Sequence, residues 1–397
     1  MKAYNPTHIR NRTIRQQADR WQREGLLQTD QLNAIRQAYP VPFRGSNIFA
    51  EIGAFIFTGI AVGGAYALIM LFMTGLLDNS VSFGAFNALV SLGLIVLVYT
   101  LIRRYNFYRN GPDNVLIVLA ASFLLTALNV VLPNDTGLWF RCLLAGPVLL
   151  AFAAYYGDVI VTFMAVLAFY AAIFTGLLEL SWGRAVLPFV LMGVSLGLWL
   201  LIKQTQTRLT DSNQTYYADA LSMAGWLSLI VLATAGNYFV VRELNGLLAE
   251  IEPGQLRPAA VPQISLAWLF WLLTFLIPGI YAYIGFTRKD RMFVVLGILG
   301  FAAATSTVRY YYALLPLSIH ITLVGIALIG GSVLVIRYLR QPRFGFTDVP
   351  DEESPRQFFL NAETMGIMSV TGATMNRQPD MKFGGGEFGG GGADGRY

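Results

Sequence analysis

Charge is the scarcest thing in this sequence. Asp, Glu, Lys and Arg make up 13% of 397 residues while apolar residues reach 55%, and a soluble domain carries roughly 25% charged residues. Two or three soluble domains of ordinary composition are therefore excluded, and a membrane protein is indicated. Cysteine is almost absent: Cys142 stands alone, which rules out an intramolecular disulfide and a cysteine-rich metal site. Histidine is limited to His8 and His320 with no HExxH pair, so neither a metal nor a cofactor is expected. The phosphate-cradling GxxxxGK[ST] loop is missing, as is a GxGxxG between a strand and a helix. A cleavable signal peptide is not expected either, because the first long apolar run begins near Ile48, behind a polar segment of over forty residues.

What is present is a series of long apolar runs. A helix needs about 20 mostly apolar residues to cross a ~30 Å hydrocarbon core. Ten segments approach or meet that length: Ile48–Leu77, Phe83–Ile102, Val115–Leu132, Trp139–Tyr156, Val159–Leu180, Val186–Ile202, Ala220–Val241, Ile264–Phe286, Met292–Tyr312 and Leu317–Tyr338. Only Gly157 and Asp158 separate the fourth from the fifth, so that pair is the weakest division. Positive charge collects on the cytoplasmic side of membrane proteins. With a cytoplasmic N-terminus, 23 of the Lys and Arg residues fall inside and 5 outside (Arg141, Arg184, Arg242, Arg257 and Arg309). The expected fold is all-α, a polytopic membrane protein of about ten transmembrane helices with both termini cytoplasmic. It divides into a cytoplasmic helical hairpin (1–47), the membrane domain (48–338) and a cytoplasmic tail (339–397).

In the hairpin, Ile9, Ile14, Ala18 and Trp21 recur at helical spacing, Gly25 stops the first helix, and Thr29 or Asp30 is placed to cap a second that ends at Pro40. The arginines suit anionic lipid, so the formal charge of +5 needs no nucleic acid to explain it. In the tail, Ser354-Pro355-Arg356-Gln357 reads as a capping box opening a short amphipathic helix. Beyond it, eight glycines fall in the last fifteen residues, a composition that cannot bury enough apolar surface to order itself. Two roles stay open for this end: a flexible tail, or a linear motif in which Phe383, Phe388 and Tyr397 engage an envelope protein.

Polar groups inside spans are the pointers to a site, since charge near the bilayer centre costs several kcal/mol, roughly 2.5–3.5 on insertion scales. Glu179, Arg242, Glu243, Arg309 and His320 come to similar depths near the outer ends of their spans, among Trp139, Trp182, Tyr238 and Tyr310 to Tyr312. Arg309, Tyr311, Tyr312, His320, Glu179 and Glu243 form the candidate ligand-binding set, because arginine offers a fork for carboxylate or phosphate and histidine titrates near neutrality. An aromatic belt with snorkelling arginines, or an Arg309–Glu179 or Arg309–Glu243 pair, is the plainer alternative. Gly59 with Gly63, and Gly193 with Gly197, have the spacing of closely packed membrane helices. Gly193-Val194-Ser195-Leu196-Gly197 also matches GxSxG, but that motif works on a sharp strand-to-helix turn and here lies inside a helix. Pro147 and Pro278-Gly279 mark expected breaks of the kind that line transport sites.

The runs WQREGLLQTDQLNAI, RYYYALLPLSIHITLVGIALI and GGGEFGGGGADGRY together resemble a family of bacterial multi-pass membrane proteins catalogued as domains of unknown function. The resemblance implies the same topology and a bacterial inner membrane; it brings no activity, substrate or catalytic residue. It also implies a lysine in the last span, where this chain has Ser318 to His320. Three functions remain in view. The first is a non-enzymatic inner-membrane protein binding membrane lipid or an envelope partner, as a subunit of a larger assembly. The second is a transporter or flippase for an anionic solute or lipid, and the third an intramembrane hydrolase. The topology is testable in a Cys142-free background: a cysteine replacing Leu256 is expected to react with an impermeant maleimide from outside, and one replacing Arg208 only after permeabilisation.

Overall fold

The computed structural model describes residues 2–43, 48–73, 75, 77–249, 264–312 and 316–339. Phe383, Phe388 and Tyr397 lie outside them, as does the capping box of the tail. Among the described residues there are helices and no strands. The hairpin is α1 (Pro6–Arg23) and α2 (Thr29–Ala38). Asn5 caps α1 by accepting from Thr7 N at 3.0 Å, with Pro6 at the first helical position. Gly25 turns the chain at φ +77°. The cap of α2 is Gln28, one residue before the expected Thr29, and Gln31 reaches back to accept from its N–H at 2.9 Å.

The membrane series follows as α3 (Ile48–Met73), α4 (Ser80–Tyr105), α5 (Pro112–Val131), α6 (Leu138–Tyr156), α7 (Val159–Leu178), α8 (Gly183–Arg208), α9 (Asp211–Ala235), α10 (Tyr238–Ala249), α11 (Ala267–Arg288), α12 (Arg291–Tyr312) and α13 (Leu317–Leu339). Nine of the described helices are long and apolar enough to cross a bilayer, and α13, with 23 residues, contains a further apolar run over Ser318–Leu334. The chain is an all-α polytopic membrane protein. Its outward apolar side chains, Phe57 at 74% and Phe72 at 78% exposure among them, suit hydrocarbon and not water.

Neighbours in sequence pack as antiparallel pairs, α4 with α5, α6 with α7, α8 with α9 and α11 with α12. The two-residue link between α6 and α7 works because each residue has a separate task. Gly157 ends α6 in the left-handed conformation at φ +64°, and Asp158 starts α7 by accepting from Val161 N at 2.9 Å. Both helices are then long and apolar enough to cross a bilayer, at 19 and 20 residues.

Two expectations are overturned. Helices α6 and α11 run continuously through Pro147 and Pro278; the ring of Pro278 packs against Gly300 of α12, which leaves room for it. The break falls instead at Gly236-Asn237, dividing the expected seventh span into α9 and the short α10. The glycines that set helix spacing also differ. Gly63, Gly193 and Gly197 face open space, and Gly59 meets only the Val115 side chain at an ordinary 3.5 Å. Close approach is made by Gly285 against Val294, Gly297 against Ala282 and Gly300 against Pro278, which zip α11 to α12 in antiparallel register. A Cβ on Gly297 would lie 2.8 Å from Ala282 N, so Gly297→Ala is expected to lower stability in detergent by about 1–3 kcal/mol. Gly193→Ala is expected to be neutral or to gain about 0.5–1 kcal/mol from helix propensity; thermal midpoints of the two variants check the contrast.

Candidate functional site

Two polar clusters lie at opposite ends of the bundle. At the far end from the hairpin, α10 is braced by hydroxyls from two spans. Asn237 Oδ1 accepts from Phe239 N at 2.9 Å and from Thr307 Oγ1 at 3.3 Å, while Tyr238 N donates to Thr274 Oγ1 at 2.9 Å. The bracing satisfies backbone donors that the helix break would otherwise leave bare in hydrocarbon. Tyr238 stacks on Trp271 at 4.6 Å and meets the edge of Tyr311 at 5.1 Å.

The three tyrosines split by helical rotation. Tyr311 turns inward and donates to Glu243 Oε1 at 2.8 Å, whereas Tyr310 and Tyr312 remain 56% and 62% exposed. The Arg242 guanidinium sits 4.6 Å from the Tyr311 ring centre, and its Nη1 donates to Tyr238 Oη at 3.1 Å. Of the candidate set, then, Tyr311 and Glu243 touch, and Tyr312 packs on Trp271 at 5.8 Å. Glu179 ends α7 with Oε1 against Gly137, where a Cβ would lie 2.7 Å from it. Arg309 lies in the last turn of α12 and His320 in the first turn of α13; neither Arg309–Glu179 nor Arg309–Glu243 forms an ion pair among the described residues. Arg309 Nε and His320 Nε2 are buried with no hydrogen-bond partner among those residues.

Ser195 is fully buried inside regular α8 and hydrogen-bonded to Tyr170 Oη at 2.9 Å. No strand-to-helix turn exposes it, so the structural basis of the GxSxG motif is lacking there.

The cluster at the hairpin end escaped the sequence reading. Asp113, 0% exposed, accepts from Arg109 N at 2.6 Å, Asn110 N at 2.9 Å and the Tyr4 hydroxyl at 3.0 Å. These donors hold Arg109 at φ +52°, a left-handed conformation costly for any residue but glycine. From that turn the guanidinium pairs with Asp219 and donates to Gly157 O at 3.0 Å. Burial works against the charge of Arg109, but Tyr108, Asp219 and Asp158 more than offset it and hold its pKa above the ordinary value. Burial drives the Asp158 carboxyl upward, opposed by the Val161 N–H and by Arg109. Tyr216 and Tyr217 donate to the carbonyls of Tyr155 and Ala154, both at 2.6 Å, satisfying the last turn of α6.

A sequence signal for this cluster existed. Asp113, Asp158 and Asp219 each stand near the start of a span, two of them after paired tyrosines (Tyr155-Tyr156, Tyr216-Tyr217). The ten-span count places those three starts on one face, with Arg109 among them. By charge alone Arg109 is only one of the 23 Lys and Arg residues on the expected cytoplasmic side.

Compared with protein-family models, curated proteins and solved structures, the chain matches none.

Tyr4 supplies a pH test. Burial, then the neighbouring Asp113 and Asp158 carboxylates, hold its phenol well above the ordinary tyrosine value of 10.0. Its unfolded value is therefore the lower one, so the stability it supplies is full below about pH 10 and is lost as the pH rises through the folded value. Thermal midpoints measured from pH 8 to 11 are expected to fall more steeply for the native chain than for Tyr4→Phe.

Proposed function

We propose that this membrane protein is a non-enzymatic binder of anionic lipid headgroups in a bacterial inner membrane, with both termini cytoplasmic and the α10–α13 end outward. One observation carries the reading: Arg309 Nε and His320 Nε2 are buried near the membrane boundary and lack an acceptor among the described residues. A buried donor without a partner costs about 1–3 kcal/mol, more when charged, and a phosphate oxygen is the acceptor that a membrane surface supplies in quantity. Arginine suits it by its planar fork, and the neighbouring Tyr310 and Tyr312 suit the headgroup level. In this reading the Tyr311–Glu243 bond and Arg242 hold α10 against α12, and Glu179 plays no direct part. A glycine-rich tail engaging an envelope partner through Phe383, Phe388 and Tyr397 is compatible with such a role.

A transporter or flippase is the second reading, favoured by the α9–α10 break at Gly236-Asn237, since discontinuous helices border transport sites in many carriers. Native mass spectrometry of the purified protein separates the two. Arg309→Ala is expected to lower retention of phosphatidylglycerol by about tenfold, with Arg309→Lys retaining part of it. Unchanged retention in Arg309→Ala would overturn the binding reading. Phospholipid flux in proteoliposomes that falls on His320→Ala would replace it with transport.

A further inference from the structure

Gly225 of α9 is buried, yet a Cβ built on it would meet no atom within 4 Å among the described residues. Gly63 and Gly193 have as much room only because they are exposed; the room beside Gly225 is enclosed, a gap in a kind of interior that is otherwise close-packed. Polar groups gather at the same level. Ser195, at the middle of α8, meets the Tyr170 hydroxyl of α7 at 2.9 Å, and Tyr170 also reaches Ser228 of α9. Trp199 stands one turn beyond Ser195 on the same face of α8, and Gly225 about one turn before Ser228 on α9. The two helices pack as an antiparallel pair, so both steps lead toward the hairpin end and bring Trp199 level with Gly225. Trp199 Nε1 is buried there with no hydrogen-bond partner among the described residues. Ring contacts continue the wall: Trp199 meets the edge of Phe293 at 5.6 Å, and Phe293 that of Tyr281 at 5.6 Å. The Tyr281 hydroxyl then returns to α9 at Leu229 O, 2.8 Å away.

We propose that the gap beside Gly225 is a binding site for a small uncharged hydroxyl compound, an alcohol or short polyol, held inside the membrane domain and separate from the lipid site at the α10–α13 end. Charge is excluded by the surroundings. No charged residue falls within 159–178, 185–202, 220–241, 268–287 or 292–308, so an ion would leave water with nothing to balance it. The hydrogen-bonding groups select the rest. An indole N–H donates only, so the ligand must offer Trp199 an acceptor; serine and tyrosine oxygens accept as well as donate, so a ligand hydroxyl can pass its own proton to Ser228 or Ser195. The rings of Phe293 and Tyr281 suit a short carbon skeleton. The site also lies on the one span that the chain interrupts, about two turns before the α9–α10 break, and discontinuous helices border solute sites in many carriers.

Fluorine NMR of the full chain in nanodiscs tests this, with 5-fluorotryptophan in place of tryptophan and 1,2-propanediol as the probe. The Trp199 signal is the one missing from Trp199→Phe. On titration with the diol it is expected to shift and saturate, while the other tryptophan signals drift linearly or not at all. Gly225→Val fills the gap and is expected to abolish the saturable shift. Ser228→Ala removes one hydroxyl and is expected to weaken binding by about fivefold, whereas Gly193→Ala, on an exposed side of α8, leaves it unchanged. If the diol does not move the Trp199 signal, the gap takes water only and the proposal fails. It also fails if the shift never saturates, or if it saturates equally in Gly225→Val. Should Gly225→Val not fold, Gly225→Ala decides: weaker binding supports the site, and undiminished binding in both Gly225→Ala and Ser228→Ala overturns it.

Discussion

The hairpin end of the molecule depends on one buried carboxylate. Asp113 has no exposure, and an anion taken out of water must find donors or lose its proton. It finds three, two from the backbone of its own turn and one from Tyr4, more than a hundred residues earlier. The backbone donors oblige Arg109 to adopt its left-handed conformation, and that conformation aims the guanidinium across to Asp219 of α9 and Gly157 of the α6–α7 link. A local capping arrangement at the start of α5 thereby becomes the tie between three pairs of helices. Gly157 is required twice over, for its positive φ and because a Cβ there would lie 2.7 Å from the Tyr216 ring.

Helix α9 carries this order to the other end. Tyr216 belongs to the cluster that contains Ala3 and Tyr4, Ala224 to the packing with α7 and α8, and Leu229 to the packing with α11 and α12. Tyr281 donates to Leu229 O at 2.8 Å, fixing α11 against α9 shortly before α9 stops. The break at Gly236-Asn237 then has its freed N–H groups met by Thr274 and by the side chain of Asn237, which Thr307 holds in place. At the hairpin end the carboxylates of Asp113 and Asp158 have partners from this chain while Asn114 Oδ1 beside them has none among the described residues; at the far end the atoms without one are the cationic and titratable nitrogens Arg309 Nε and His320 Nε2.

The span count was legible because its cause is local: a run of about 20 apolar residues has one use in a protein. The α6–α7 link was the weakest point of that reading, yet its solution lay in the two residues themselves, a left-handed glycine followed by a capping aspartate. The α9–α10 break was not legible, since Gly236-Asn237 interrupts no hydrophobic run and its bracing threonines are 37 and 70 residues further along. Nor were the spacing glycines, because whether Gly197 or Gly297 meets a neighbour depends on which face each helix turns inward. The acid cluster draws Asp113, Asp158 and Asp219 from three separate spans, and only the assembled topology brings them to one end. Within the candidate ligand set the structure brings Tyr311 onto Glu243, but the inward turn of Tyr311 alone and the separation of Glu179 depend on helix rotation that the sequence does not display.

Packing along the series is uneven in a way that follows from the solvent. Lipid tails exert no hydrophobic force that drives one apolar helix onto another, so membrane helices hold together by close contact and polar bonds. Helix α3 has neither in quantity: no residue in its apolar window is buried, and Gly53, Gly63 and Gly64 face open space. Its firm contact is at its start, where the carbonyl of Glu51 lies so near Gly111 that a Cβ there would be 2.2 Å away. Gly111 belongs to the turn that Asp113 organises and Tyr4 straps down. The hairpin precedes α3 in the chain, so this span is secured at its first turn by the same polar turn that receives Tyr4. A change at Tyr4 or Asp113 therefore bears on α3 from both sides, through the hairpin that precedes it and through the turn against which it rests.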